Sequence, residues 1–218
     1  FGNVLNLRHL AHLLGTDRPV YGLQAKGLFG EVEPHRDLTE AARDMIAEMR
    51  QIQPSGPYMI GGFSGGGITA YDIAHPLRAM GDEVALVVLL DTPLPQRRPL
   101  HRRDRLLIQW QETRRKGLAY PFVWLRNRIR WEIEKRKATG ETRTAHSFHN
   151  AEIEQAFLHA VSTYEMQPWG GRIALFRPPL VGTWTVSDGR LVNHERAYLF
   201  DDNDWGQYAP QIEVFEVP

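Results

Sequence analysis

The sequence predicts an α/β protein in which a mostly parallel sheet is flanked by helices. Three observations carry this. Segments of strand character alternate with helical ones along the 218 residues, the order expected of parallel strands joined by covering helices. Val84–Leu90 is an unbroken apolar run, the pattern of a strand buried on both faces. Between a strand-like and a helix-like segment stands Gly62-Phe63-Ser64-Gly65-Gly66, a tight glycine-flanked turn around a serine.

At this length a single core suffices, so one domain over 1–218 is expected. Val4–Leu14 reads as the first helix, with Leu7, Leu10, Ala11 and Leu14 on one face and Gly15 closing it. Val20–Leu23 reads as a short strand. Glu40–Ile52 repeats Ala41, Met45, Ile46 and Met49 at helical spacing, and Pro54-Ser55-Gly56-Pro57 ends it as a turn. Tyr58–Phe63 is the central strand, Ile68–Met80 the next helix, and Val84–Leu90 the strand that ends at Asp91. Pro76 interrupts that helix and should cost about 3 kcal/mol or bend it. Ile153–Tyr164 reads as a helix, and Arg172–Phe176 and Ile212–Val217 as the last strands.

Composition narrows the chemistry. With no cysteine the chain has no disulfide, thiolate metal site or cysteine nucleophile, and the cytoplasm is the expected compartment. No apolar run approaches the roughly 20 residues of a membrane span. Basic and acidic residues number 26 each, which gives no global reason to expect nucleic acid. The distribution is nevertheless uneven. From Arg97 to Lys137 fourteen basic residues face four acidic ones, a local +10. Phe122, Leu125, Ile129 and Ile133 recur there at helical spacing, so a helical insertion over about 97–150 is expected. Its basic face reads as solvated surface or as a dock for an acidic partner, and Trp110, Trp124 and Trp131 as packing within it.

The serine turn carries the chemistry. Gly62 and Gly66 allow a strained bend that lifts the Ser64 hydroxyl above the sheet, while the following helix aims free N–H groups at developing negative charge. Serine needs a base, and the base an acid to orient it. Asp91, at the carboxyl end of the next strand, suits the acid. The same glycine-rich turn could be a plain connection or a phosphate cradle, but it has neither a dinucleotide fingerprint nor a Walker lysine. Asp91-Thr92-Pro93 could likewise be an ordinary strand-ending turn.

The stretches Gln53–Tyr58, Gly62–Gly66 and Val84–Thr92, with Arg18–Ala25, Gly27-Leu28 and Trp205–Tyr208, resemble the thioesterase domain of nonribosomal peptide and polyketide synthases. The resemblance covers most of the chain outside the basic insertion. It implies an α/β-hydrolase fold with a helical lid over about 97–150. Ser64 would take an acyl or peptidyl chain from a carrier-protein phosphopantetheine thioester, and hydrolysis or cyclisation would release it. It implies Asp91 as the acid and the Gly65 N–H as an oxyanion donor. No cofactor, metal, nucleic acid or membrane is implied; the partner is an acyl or peptidyl carrier protein, in the same polypeptide or complex. A stand-alone editing thioesterase or esterase, and a non-catalytic binding domain of the same fold, are the alternatives.

Measured against that pattern, the first strand or strands and the final histidine loop are expected to lie outside the sequence, which starts at Phe1 and reads as a piece of a longer chain. The catalytic histidine is therefore expected just beyond Pro218. His194 is the internal substitute that respects the chain order, although Asn193-His194-Glu195-Arg196 reads as solvated surface. Asp201-Asp202-Asn203-Asp204 lacks the glycine and distal glutamate of a calcium loop and reads as a turn.

Overall fold

The structure, a computed structural model, describes residues 2–117 and 145–218. It divides into two compact units. The first comprises Phe1–Gln96, Thr144–Pro178 and Asp202–Pro218; the second comprises Arg97–Arg143 and Pro179–Asp201.

The first unit is built on four parallel strands in spatial order β1 (Tyr58–Phe63), β2 (Val84–Leu90), β3 (Ile173–Arg177) and β6 (Ile212–Glu216). Helices α2 (Leu38–Ile52) and α3 (Gly65–Ala79) pack together. Ala42 and Ile46 of α2 meet Ile73 and Leu77 of α3 beside Tyr58. On α3, Tyr71 and Ala74 join Val87 and Leu89 of β2, Ile173 and Leu175 of β3, and Trp205 in the main core. A third helix, α5 (Ala145–Thr163), sets Ala160 and Val161 against Leu38 and Ile68.

Several elements differ from the sequence expectation for definable reasons. Helix α2 starts two residues early because Asp37 caps it, its carboxylate accepting the Glu40 N–H at 2.9 Å. Helix α3 begins directly after Ser64, since glycines that carry no apolar pattern still complete its first turn. Pro76 lies inside α3, three residues from its end. Val84–Leu90 is not buried equally on both faces: Val87 and Leu89 are fully enclosed, but the alternate residues are half-buried. Val20–Leu23 forms no strand. A strand exists only in a ladder, and the backbone bond here is from Ala25 N–H to the Gly2 carbonyl, with Tyr21 left exposed. The first helix forms as a 3-10 turn, Leu5–Leu7, running into α1 (Arg8–Leu13), and Gly15 follows at φ +78°. None of its residues is buried, so its leucine face is not a core face.

The second unit contains α4 (Arg102–Lys116) and an antiparallel pair, β4 (Trp184–Thr185) and β5 (Leu191–Val192), too short for periodicity to reveal. Leu100, Ile108, Val186, Val192 and Tyr198 form its core. The apolar stripe Phe122–Ile133, Trp124 and Trp131 lie outside the described residues.

Candidate active site

The parallel register fixes the site. Phe63 of β1 is paired with Leu90 of β2, so Ser64 and Asp91 are the next residues at the carboxyl ends of neighbouring strands. Ser64 has φ 52° and ψ −121°, a strained conformation for a non-glycine residue and a cost of order 1–3 kcal/mol. Its N–H donates to the Leu90 carbonyl at 2.8 Å, tying the bend to the strand that leads to Asp91. The first intrahelical bond of α3 runs from Gly67 N–H to the Ser64 carbonyl. The amides of Gly65 and Gly66 precede it, the position of free helix-terminal donors.

Gly62, Gly66 and Gly67 around the serine have different roles. A side chain on Gly62 would drive into the backbone of Gly66, so this position is fixed by close approach. Gly66 itself faces open space, and the tightness assigned to it belongs to Gly62 instead. Gly67 is required from another side: a Cβ there would strike the Thr92 hydroxyl and methyl.

Asp91 is exposed, has φ 44°, and donates its N–H to the Phe176 carbonyl of β3 at 2.7 Å. Thr92 is fully buried, and its hydroxyl donates to the Leu90 carbonyl at 3.3 Å. Its carbonyl accepts the Trp205 indole N–H at 2.8 Å and the Asn203 amide at 3.3 Å. The acidic cluster builds the turn that delivers these donors: Asp202 accepts the N–H groups of Asp204 and Gly206 at 2.9 and 2.8 Å. Trp205 and Asn203 thus brace the turn carrying Asp91, a role visible only once residues 111 and 113 positions away in sequence are brought together.

Helix α5 passes beside the serine turn. The ring of Phe157 lies where a Cβ of Gly65 would be, at 2.7 Å from Cε1 and from Cζ. Farther along, Asp72 of α3 bonds the Tyr164 hydroxyl; burial pushes its carboxyl above the ordinary value, and Tyr164 only partly offsets this. Burial raises the Tyr164 phenol too.

Four of the described histidines have surroundings of their own. His35 bonds Asp44 at 2.8 Å, and His75 packs between Tyr71 and Trp169, where burial lowers its pKa. His159 is exposed on α5. His194 belongs to the second unit, in an exposed turn closed by Arg196 N–H donating to the Asn193 carbonyl. The structure thus brings Ser64, Gly65 and Asp91 to one end of the sheet.

A family model described as a thioesterase domain matches residues 1–165. Malpinin synthetase of Mortierella alpina is 41% identical over 105 residues, 45% of this chain and 1% of that protein. A dimodular nonribosomal peptide synthase of Bacillus subtilis is 44% identical over 78 residues, 36% of this chain and 3% of that one. The chain therefore spans a small fraction of these relatives' length. Among solved structures, the NocB thioesterase domain in covalent complex with a fluorophosphonate nocardicin G analog aligns with all of this chain and 79% of its own, at TM-score 0.61 and 23% identity. The RedJ thioesterase from the prodiginine pathway of Streptomyces coelicolor aligns over 99% of this chain and 76% of its own, at TM-score 0.60 and 16% identity. These structural likenesses speak for the fold, that of the α/β-hydrolases, and the family match takes the assignment further: the chain belongs to the thioesterase domain family.

Proposed function

We propose that this chain releases an acyl or peptidyl chain from the phosphopantetheine thioester of a carrier protein through an acyl-enzyme on Ser64. The carrying observation is the pairing of Phe63 with Leu90, which puts Ser64 and Asp91 side by side at the carboxyl ends of parallel strands. Ser64 Oγ attacks the thioester carbonyl and gives its proton to a histidine base. The Gly65 N–H holds the oxyanion, then the C–S bond breaks and the pantetheine sulfur leaves with that proton. Water, or a hydroxyl or amine of the acyl chain, attacks the new ester and passes its proton through the same base to Ser64, releasing acid or macrocycle. Asp91 orients the base. In this reading the base is a histidine following β6, whose carboxyl end lies beside β3, the neighbour of the Asp91 strand.

The test is covalent labelling of the protein at its full natural length with a fluorophosphonate. Wild type should gain the phosphonyl mass, and Ser64→Ala should not. Labelling that survives in Ser64→Ala would refute the serine assignment.

The partner in this reading is an acyl or peptidyl carrier protein in the same polypeptide or complex. Helix α4 supports it, because its two carboxylates, Asp104 and Glu112, are buried while Arg102, Arg103, Arg114 and Arg115 are exposed. Arg102→Glu with Arg103→Glu should raise KM roughly tenfold for a carrier-bound acyl thioester, and leave KM unchanged for the same acyl group on N-acetylcysteamine. An unchanged KM for the carrier-bound form would exclude docking on this helix.

A further inference from the structure

Helix α5 brings an aromatic ring to the proposed oxyanion donor, and Gly65 is what makes room for it. The ring edge of Phe157 would collide with any side chain at residue 65, its Cε1 and Cζ both standing 2.7 Å from the Cβ position. The ring is held there from its own helix. Ile153, Ala156 and Ala160 of α5 are buried, Phe157 packs against the cluster of Leu38, Ile68, Ala160 and Val161, and Tyr164 bonds Asp72. Phe157 itself is only partly buried.

We propose that Phe157 is a specificity-determining residue: its ring is a wall of the acyl site and limits the width of the acyl group next to the carbonyl. The inference rests on the reading of Ser64 as nucleophile and Gly65 N–H as oxyanion donor. An oxyanion held by that N–H stands about 3 Å from the nitrogen. The carbon that bears the oxygen, and the α-carbon beyond it, are then within a few bond lengths of Gly65 and its neighbouring ring. A branch at the α-carbon adds bulk beside the wall, which a straight chain does not. A single methyl group in an apolar pocket discriminates by about 10–200-fold.

The experiment compares propanoyl and 2-methylpropanoyl thioesters of N-acetylcysteamine, following acylation of Ser64 by intact and peptide mass on the full natural chain. Phe157→Ala should raise the rate ratio of branched to straight acyl group by about tenfold over wild type. Gly65→Ala should slow both substrates by pushing the ring into the site, and Phe157→Ala added to it should restore acylation. Phe157→Leu reads the same ratio with the cluster better filled, should the alanine variant fail to fold. A ratio unchanged in Phe157→Ala and Phe157→Leu, with both rates falling together, would reduce Phe157 to a packing residue and overturn the proposal. Absence of acyl mass on Ser64 in wild type, with either substrate, would overturn the serine reading itself, and is told apart by occurring before any residue is changed.

Discussion

Helices α3 and α4 are both 15 residues long. The first buries Ile68, Tyr71, Ile73, Ala74 and Leu77; the second buries Asp104, Ile108 and Glu112, one residue per four along a single stripe, and exposes Leu106 and Trp110. Each buried carboxylate of α4 is fully engaged. Asp104 accepts the Tyr198 hydroxyl and, at 3.1 Å, the Ser187 N–H; Glu112 accepts the Trp184 indole at 3.0 Å and pairs with Lys116. One helix is seated by shape and apolar burial, the other by charged hydrogen bonds. The difference teaches that the serine turn rests on a scaffold seated chiefly by apolar burial, with Asp72 and His75 among the titratable groups that burial shifts, while the basic helix is held by its carboxylates.

The largest effect is expected where shape is least forgiving. Gly62→Ala places a methyl group in the backbone of Gly66, and only a shift of strand or helix can relieve it. A loss of about 3 kcal/mol or more in unfolding free energy, measured by denaturant melts, is expected, together with loss of fluorophosphonate labelling at Ser64. Gly66→Ala meets open space and should cost well under half as much, mostly nothing. Equal losses at the two positions would break the shape argument.

The charge argument has its own test. Asp104→Ala removes the acceptor for Tyr198 and Ser187, and should loosen the second unit by about 2–3 kcal/mol, read as lost amide protection in α4 and residues 184–192. Acid should mimic it. The Ser187 and Tyr198 bonds hold the Asp104 carboxyl below its usual range, and Lys116 does the same for Glu112. A carboxyl lowered by folding contributes stability that is present above its unfolded pKa, near 4, and disappears as pH falls through the folded value. Asp72 has the opposite sign: burial raises it, so its strain is relieved as pH falls through its folded value. His75 of α3, whose pKa burial lowers, takes its loss as pH falls below the unfolded imidazole value near 6.5. Hydrogen exchange should therefore show α4 losing protection as pH falls below about 4, apart from any change in α3 nearer neutrality. Protection of α4 that persists well below that pH would refute the contrast.

The same contrast explains what could be read from the sequence. Apolar periodicity announced β1, α3 and β2, and the glycine spacing announced the strand-to-helix turn at Ser64, because those features are local. The position of Asp91 was legible because it follows an apolar strand. The stripe Asp104, Ile108 and Glu112 was not, since carboxylates at helical spacing look like a solvated face until Trp184, Ser187 and Tyr198 are folded against them. Val20–Leu23 shows the converse error: four residues with strand propensity and no ladder. Phe157 and Trp205 lay beyond local reading altogether, their roles being set by contacts with Gly65 and Thr92 across 92 and 113 positions of sequence.

Trp205→Phe is the smallest perturbation and separates shape from polarity within the first unit. It keeps an aromatic ring in the core beside Tyr71, whose centroid lies 5.0 Å away, and deletes the N–H that donates to the Thr92 carbonyl together with part of the indole's volume. If shape dominates here, the stability loss should be about 1 kcal/mol, close to a single neutral hydrogen bond plus a small cavity. Asn203 still donates to the same carbonyl, which limits the loss. The effect on chemistry should be larger than the effect on stability, because Thr92 follows the residue proposed to orient the base. A fall of about tenfold in kcat with KM unchanged is expected, since misplacement of an orienting group lowers the transition state's share of binding without touching the substrate's. Should kcat hold while stability drops by several kcal/mol, Trp205 would be a core residue alone, and the brace on Asp91 would have to come from Asn203 and the strand itself.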